Sequence, residues 1–223
     1  MAVLTNTMMQ GTAAISDGED AYQIEKSLRF NSADTPDMSH RQSAGNARTF
    51  TLSVWTKRNK ITPGTYQLIF GAGAGNSGAD GLFWNNDQLY SCFGDDDGST
   101  TAVFRDPSAW YHIVAAVDTT QSIATERVKL YVNGVQYSHT NITTTQYDDT
   151  RFNLAANTVG FGRRPLASSS PFYYDGQIAD AQLIDGLALS PAAFGEFSSD
   201  GSGVWNPKEF ALPAPNTNVT WSS

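Results

Sequence analysis

The sequence predicts an all-β protein. Short apolar runs alternate with clusters of Gly, Ser, Thr, Asn and Asp, the punctuation of a turn-rich sheet protein. No long segment keeps the apolar period of a helix. The third observation is the stretch from Ala102 to Thr140. Trp110 to Asp118 is an aromatic and β-branched run suited to a strand buried on both faces, and Val128, Leu130 and Val132 then alternate with Lys129 and Tyr131. Asn133-Gly134 suits a type I′ turn because both residues accept positive φ, and Val135 and Tyr137 resume the alternation on a returning strand.

The remaining elements follow in chain order. Met1 to Asp20 is polar and rich in small residues, and reads as an arm outside the core. Tyr22 to Phe30 supplies a first strand, with alternation from Ser27. Phe50 to Lys57 gives a clearer one, Leu52 and Val54 opposing Ser53 and Trp55; Trp55 is expected to pack rather than face a ligand. Tyr66 to Gly71 predicts a strand and Gly71 to Gly81 a glycine-rich loop. No helical pattern follows that loop, so it offers no helix N-terminus to hold a phosphate. Leu82-Phe83-Trp84 and Gln88 to Phe93 form a hairpin across Asn85-Asn86-Asp87, and Asp95-Asp96-Asp97-Gly98 reads as a solvated turn. Asn153 to Phe161 is a late strand, Leu166 to Pro171 a polar loop, and Phe172 to Leu183 a closing strand. Ser190 is placed as N-cap and Pro191 as first residue of a single helical turn; the tail from Asn206, with three prolines, runs extended.

Composition bounds the function. At 223 residues, 40% hydrophobic and 12% aromatic, the chain can bury a substantial core. A formal charge of −8 and a pI near 4.7 argue against nucleic acid, since phosphate tracking needs several cations; Arg163-Arg164 is expected to sit in a loop making one salt bridge. Cys92 is the sole cysteine, which excludes an internal disulfide and a cysteine-based zinc site, and a buried strand position is expected for it. The N-terminus lacks the pattern of a secretory signal, and no stretch suits insertion in a bilayer. Synthesis in the cytoplasm follows, and the sequons at Asn141 and Asn218 then read as chance matches.

No catalytic constellation emerges. A glycosidase needs two carboxylates flanking the scissile bond, and Glu19, Glu25, Glu126, Glu196, Glu209, Asp175 and Asp180 form no such pattern. His112, in mid-strand, reads as a structural hydrogen-bonding residue, and neither His40 nor His139 has a partner at metal-ligand spacing. The expectation is therefore a non-enzyme. Glycan binding asks for less: an aromatic platform and a few polar groups. Trp84, Tyr90, Tyr173 and Tyr174 are the candidate platform. Asp95, Asp96 and Asp97 are candidate calcium ligands, hard oxygens without the remaining pattern of an EF-hand.

Two groups of residues carry a family resemblance. Trp110-Tyr111-His112-Ile113-Val114-Ala115 and Val128-Lys129-Leu130-Tyr131-Val132-Asn133-Gly134 resemble the strand and hairpin signature of laminin-G-like, concanavalin-A-type jelly rolls. Ile184-Asp185-Gly186-Leu187-Ala188-Leu189-Ser190-Pro191-Ala192-Ala193-Phe194-Gly195-Glu196-Phe197, with Gly203-Val204-Trp205-Asn206-Pro207-Lys208, closely resembles a block of laminin-G-like virion proteins of tailed bacteriophages. The resemblance implies a two-sheet antiparallel jelly-roll sandwich with extended terminal arms. It divides the chain into an arm at 1–20, the jelly roll at 21–189, and a helical turn and tail at 190–223. It further implies a non-enzymatic virion surface protein, a capsid decoration or tail or fibre component. Other virion proteins, further copies of the chain and a host-surface glycan would be its partners. A glycan-binding, receptor-binding lectin is the alternative, and a polysaccharide hydrolase or lyase stands third.

Overall fold

Alternating side chains need two environments, and this chain supplies them by stacking one sheet on another. Residues 22–211, except 63, 77, 95 and 141–143, are described in a computed structural model of the chain. The predicted N-terminal arm, both sequons and the tail beyond 211 lie outside them. In chain order the first strands are β1 (Leu28–Phe30), β2 (Met38–Arg41), β3 (Thr49–Arg58), β4 (Tyr66–Gly73), β5 (Ala79–Asn85), β6 (Gln88–Phe93) and β7 (Asp96–Ser99). They are followed by β8 (Tyr111–Asp118), β9 (Val128–Val132), β10 (Val135–Tyr137), β11 (Thr158–Phe161), β12 (Gly176–Asp185), β13 (Gly195–Phe197) and β14 (Trp205–Pro207). The first sheet runs β1-β12-β3-β8-β9-β10 and the second β2-β11-β4-β5-β6-β7, with every pairing antiparallel. The all-β jelly-roll sandwich is thus the observed architecture.

One continuous core lies between the sheets. Phe50, Leu52 and Val54 of β3, Ile113, Ala115 and Val117 of β8, and Val128, Leu130 and Val132 of β9 come from the first sheet. Phe70, Ala72, Leu82, Trp84, Leu89 and Phe93 come from the second, and Phe152 closes one end, 5.0 Å from Phe50. β8 is buried on both faces, as its composition predicts. The reason is a second layer. Residues 186–210 cross the outer face of the first sheet, where Val114, Ile184 and Phe194 pack with Tyr131, Leu187, Leu189, Ala193 and Phe210. Thr51 hydroxyl donates to the Leu187 carbonyl (2.6 Å) and accepts from Leu189 N–H (2.8 Å), so polar positions of β3 are satisfied by this strap. The Pro191–Ala193 turn opens it as predicted, although the Ser190 side chain makes no capping bond. β13 and β14 form its terminal hairpin, where the sequence suggested only an extended tail.

The chain ends of the described region meet beside this sheet. Phe210 stacks on Phe194 at 5.0 Å, and Tyr22 lies within electrostatic reach of Glu209 and of Asp180 on β12. Among the described residues no helix is long and apolar enough to cross a membrane.

Several boundaries differ from the sequence reading. The predicted glycine loop from 71 to 81 is mostly strand, because β4 continues to Gly73 and β5 begins at Ala79. Gly71 faces Gly81 across that pair, and a Cβ on Gly71 would strike the Asp80 carbonyl at 2.7 Å, so the glycines serve close strand approach. The predicted acidic turn is an edge strand, since Asp96 and Asp97 pair with Phe93 and Cys92; charge on an edge discourages pairing with foreign strands. The late strand starts at Thr158 rather than Asn153, which holds φ of 57° and is tied by its side chain to Asn46 O and Asp185. The closing strand starts at Gly176 rather than Phe172, leaving residues 162–175 as a loop that folds over the second sheet.

Candidate functional site

The two sheets differ in what covers them. The strap closes the first sheet, whereas the outer face of the second is only partly covered, and it carries the candidate site. Strand alternation places Leu68, Phe83, Tyr90 and Ser99 in one row across β4 to β7, and their inward neighbours Trp84 and Leu89 belong to the core. Tyr66 completes an aromatic cluster. Its ring lies 4.9 Å from Tyr90, 5.5 Å from Phe172 and 6.3 Å from Phe83, all at steep interplanar angles that suit the ring quadrupoles. Phe83 is buried beneath; Tyr66, Tyr90 and Phe172 are half-exposed. Phe172 is anchored by its carbonyl, which accepts from Leu68 N–H at 2.8 Å.

Polar groups frame the rings. Tyr90 hydroxyl donates to Asp97 Oδ2 at 2.9 Å, and burial, reinforced by that carboxylate, pushes the phenol upward from its ordinary value. Asp97 itself is exposed. On the other side of the face, the Arg164 guanidinium sits 5.9 Å from the Phe172 ring and that of Arg163 5.6 Å from Tyr173. Arg163 donates to Ala167 O and faces Asp37 at 3.7 Å, the single salt bridge expected of the arginine pair. Cys92 shares the row below, opposite Asp97, and is half-buried rather than the buried strand residue predicted.

Of the four predicted platform residues the structure brings Tyr90 and Tyr173 to this face. Trp84 and Tyr174 are corrected: both are fully buried and offer no ring to a ligand. Trp84 follows Phe83 on β5, so alternation turns it into the core, where it packs against Tyr111 and under Arg58, whose guanidinium lies 4.7 Å from its ring. Tyr174 hydroxyl bonds Thr56 Oγ1 at 2.6 Å and donates to Lys57 O at 2.8 Å. Sequence reasoning missed Tyr66, Phe83 and Phe172 as partners; the Tyr66–Leu68 alternation was the available signal, but it cannot tell which face stays open.

The predicted calcium ligands are described only in part. Asp95 lies outside the described residues, Asp96 is backbone-paired to Phe93, and Asp97 is engaged by Tyr90. Among the described residues no three His, Cys, Asp or Glu side chains gather as a metal site.

Two serine–histidine pairs form between segments that no local pattern connects. Ser53 Oγ lies 2.9 Å from His112 Nε2, and Ser91 Oγ lies 2.7 Å from His139 Nε2. Both serines are closed to solvent, at 0% and 1% exposure, so neither oxygen can meet a substrate. Trp205 Nε1–H donates to His112 Nδ1 at 2.9 Å, which fixes the proton on Nε2 and makes Ser53 its acceptor. His112 stacks on Trp55 (4.8 Å), with Trp205 hydrogen-bonded at its edge, and burial pulls its pKa down to about 3. This is the structural histidine the sequence predicts.

Three comparisons frame these observations. The chain is similar to a heptameric pentraxin from Limulus polyphemus, with 16% identity and a TM-score of 0.53 over 74% of this chain and 77% of that one. It is also similar to a protein of Bacteroides ovatus assigned as carbohydrate binding, with 13% identity and a TM-score of 0.51 over 77% of this chain; about half of that protein, 54%, is spanned. At these identities the likeness is one of fold. No curated protein matches the chain in sequence. The sequence profile of the Laminin_G_3 family, however, matches residues 30–193. By that match, on a sandwich of the corresponding architecture, the chain belongs to the concanavalin A-like lectin/glucanases superfamily.

Proposed function

We propose that this chain is a non-enzymatic, glycan-binding surface module of a virion, and that the outer face of the second sheet is its binding surface. The observation that carries the glycan part is the half-exposed Tyr66–Tyr90–Phe172 cluster, with Asp97 held at its rim by Tyr90. Apolar ring faces pack against the C–H surfaces of a sugar, and a fixed carboxylate accepts from its hydroxyls. The carbohydrate-binding assignment of the Bacteroides ovatus protein and the superfamily itself support this reading. The non-enzymatic part is supported by the burial of the serine in both Ser–His pairs.

The virion part is supported by the phage-like block from Ile184 to Lys208. That block builds the strap over the first sheet, which leaves one broad sheet face for recognition and assigns the other to internal packing. A glycan array read with calcium and with chelator tests the binding surface. Selective binding that Tyr66→Ala weakens about tenfold supports it, and no response to any sugar sinks it. Locating the chain in a reconstruction of the particle tests the other half: an icosahedral set of copies means decoration, a few copies at the tail mean host contact, and absence refutes the virion reading.

A further inference from the structure

Arg164 is a charged side chain placed where a charge is costly. The residue is 8% exposed, its Nε is buried without a hydrogen-bond partner, and among the described residues its guanidinium makes no hydrogen bond and no salt bridge. Its two cationic neighbours are provided for. Arg151 pairs with Asp80 at 2.6 Å, and Arg163 faces Asp37 and donates to Ala167 O. Burial and the field of Arg151 both act against the Arg164 charge, yet a guanidinium stays protonated in proteins. Nε alone is sealed, so the terminal nitrogens are the atoms left to meet an incoming counter-charge.

Position suggests what supplies it. Arg164 stacks near Phe172, and Phe172 meets Tyr66, which meets Tyr90 and through it Asp97. The sequence of groups along one face is therefore a cation, three half-exposed rings and an acceptor carboxylate. We propose that this strip is a subsite for an acidic sugar, whose carboxylate pairs with the Arg164 guanidinium while its ring lies on the aromatic cluster. The planar fork of arginine matches a carboxylate through two parallel hydrogen bonds, and the adjacent rings hold the sugar at a fixed distance from it. The net charge of −8 narrows the class further. A densely charged polyanion is repelled by the whole molecule, so the ligand carries an isolated carboxylate, as in a uronic or sialic acid unit among neutral sugars.

The inference rests on the glycan reading of the same face, and the experiment separates the two. Sialyllactose with lactose, and galacturonic acid with its methyl ester, are titrated calorimetrically into wild type, Arg164→Met and Arg164→Lys. The expected result is that at least one acid binds about tenfold or more tightly than its neutral counterpart. Arg164→Met abolishes that preference, and Arg164→Lys recovers only part of it because a point charge lacks the fork. Near-UV circular dichroism checks that the variants fold; the acid–ester comparison on wild type decides the matter even if they do not. Equal binding of acid and neutral members overturns the Arg164 subsite and leaves the glycan platform standing. A response confined to a sulfated chondroitin hexasaccharide overturns the carboxylate assignment. Binding of no sugar overturns both readings.

Discussion

At the scale of single residues, His112 shows how a titratable group is made structural. Its pKa in the fold lies near 3, below the 6.5 of an unstrained histidine. Between those values the unfolded chain takes up a proton that the folded chain refuses, so folding stability falls as pH drops from 6.5 towards 3. Above 6.5 both forms are neutral and the group contributes nothing to the pH dependence. The slope approaches about 1.4 kcal/mol per pH unit for this one proton. Urea unfolding of wild type and His112→Gln at pH 7, 5 and 4 checks it: the variant should show a shallower acid loss. Trp205→Phe removes the N–H that fixes the histidine tautomer and should cost about 1–2 kcal/mol, read in the same titration. Of these contacts only the mid-strand position of His112 was legible beforehand, because its partners, Ser53 and Trp205, come from distant segments.

At the scale of elements, β9–β10 and the strap are interlocked. The hairpin turn has Asn133 at φ 48° and Gly134 at φ 77°, the geometry its two residue types predict. A Cβ on Gly134 would also overlap the Trp205 ring. Gly134→Ala therefore meets both a disfavoured backbone and a clash, and should lower stability by more than about 1 kcal/mol, measured by thermal unfolding. On the second sheet Asp80 does comparable work. Fully buried on β5, it pairs with Arg151 and accepts from the backbone N–H of Gly94 and Arg151 at 3.0 and 2.8 Å. Asp80→Ala removes the ion pair and the acceptor of two backbone N–H groups, and should cost about 3 kcal/mol. The β8 run, the β5–β6 hairpin and the β9–β10 hairpin were readable because alternation and turn chemistry are local. The short strands β2, β7, β13 and β14 were not: β2 pairs with remote β11, β7 is itself acidic, and β13 and β14 are too short to show alternation. The site suffered in the same way. Alternation separated Phe83 from Trp84 but could not say which of the two faces would be roofed.

At the scale of the whole molecule, the family profile ends at Ala193, inside the strap, so its terminal hairpin lies outside the matched segment. Ending the chain after Phe194 uncovers His112, Val114 and Tyr131 on the first sheet without touching the second. The shortened protein should bind a hydrophobic dye and melt at lower temperature, yet keep whatever ligand preference the intact chain has. Loss of that preference would mean the two faces communicate. The two faces also fix an orientation. Phe210 packs on the strap over the first sheet, Tyr22 feels the charges of Asp180 and Glu209, and the aromatic strip lies on the far side of the sandwich. A surface that packs against the strap side thus leaves the rings facing outward, like the palm of an extended hand.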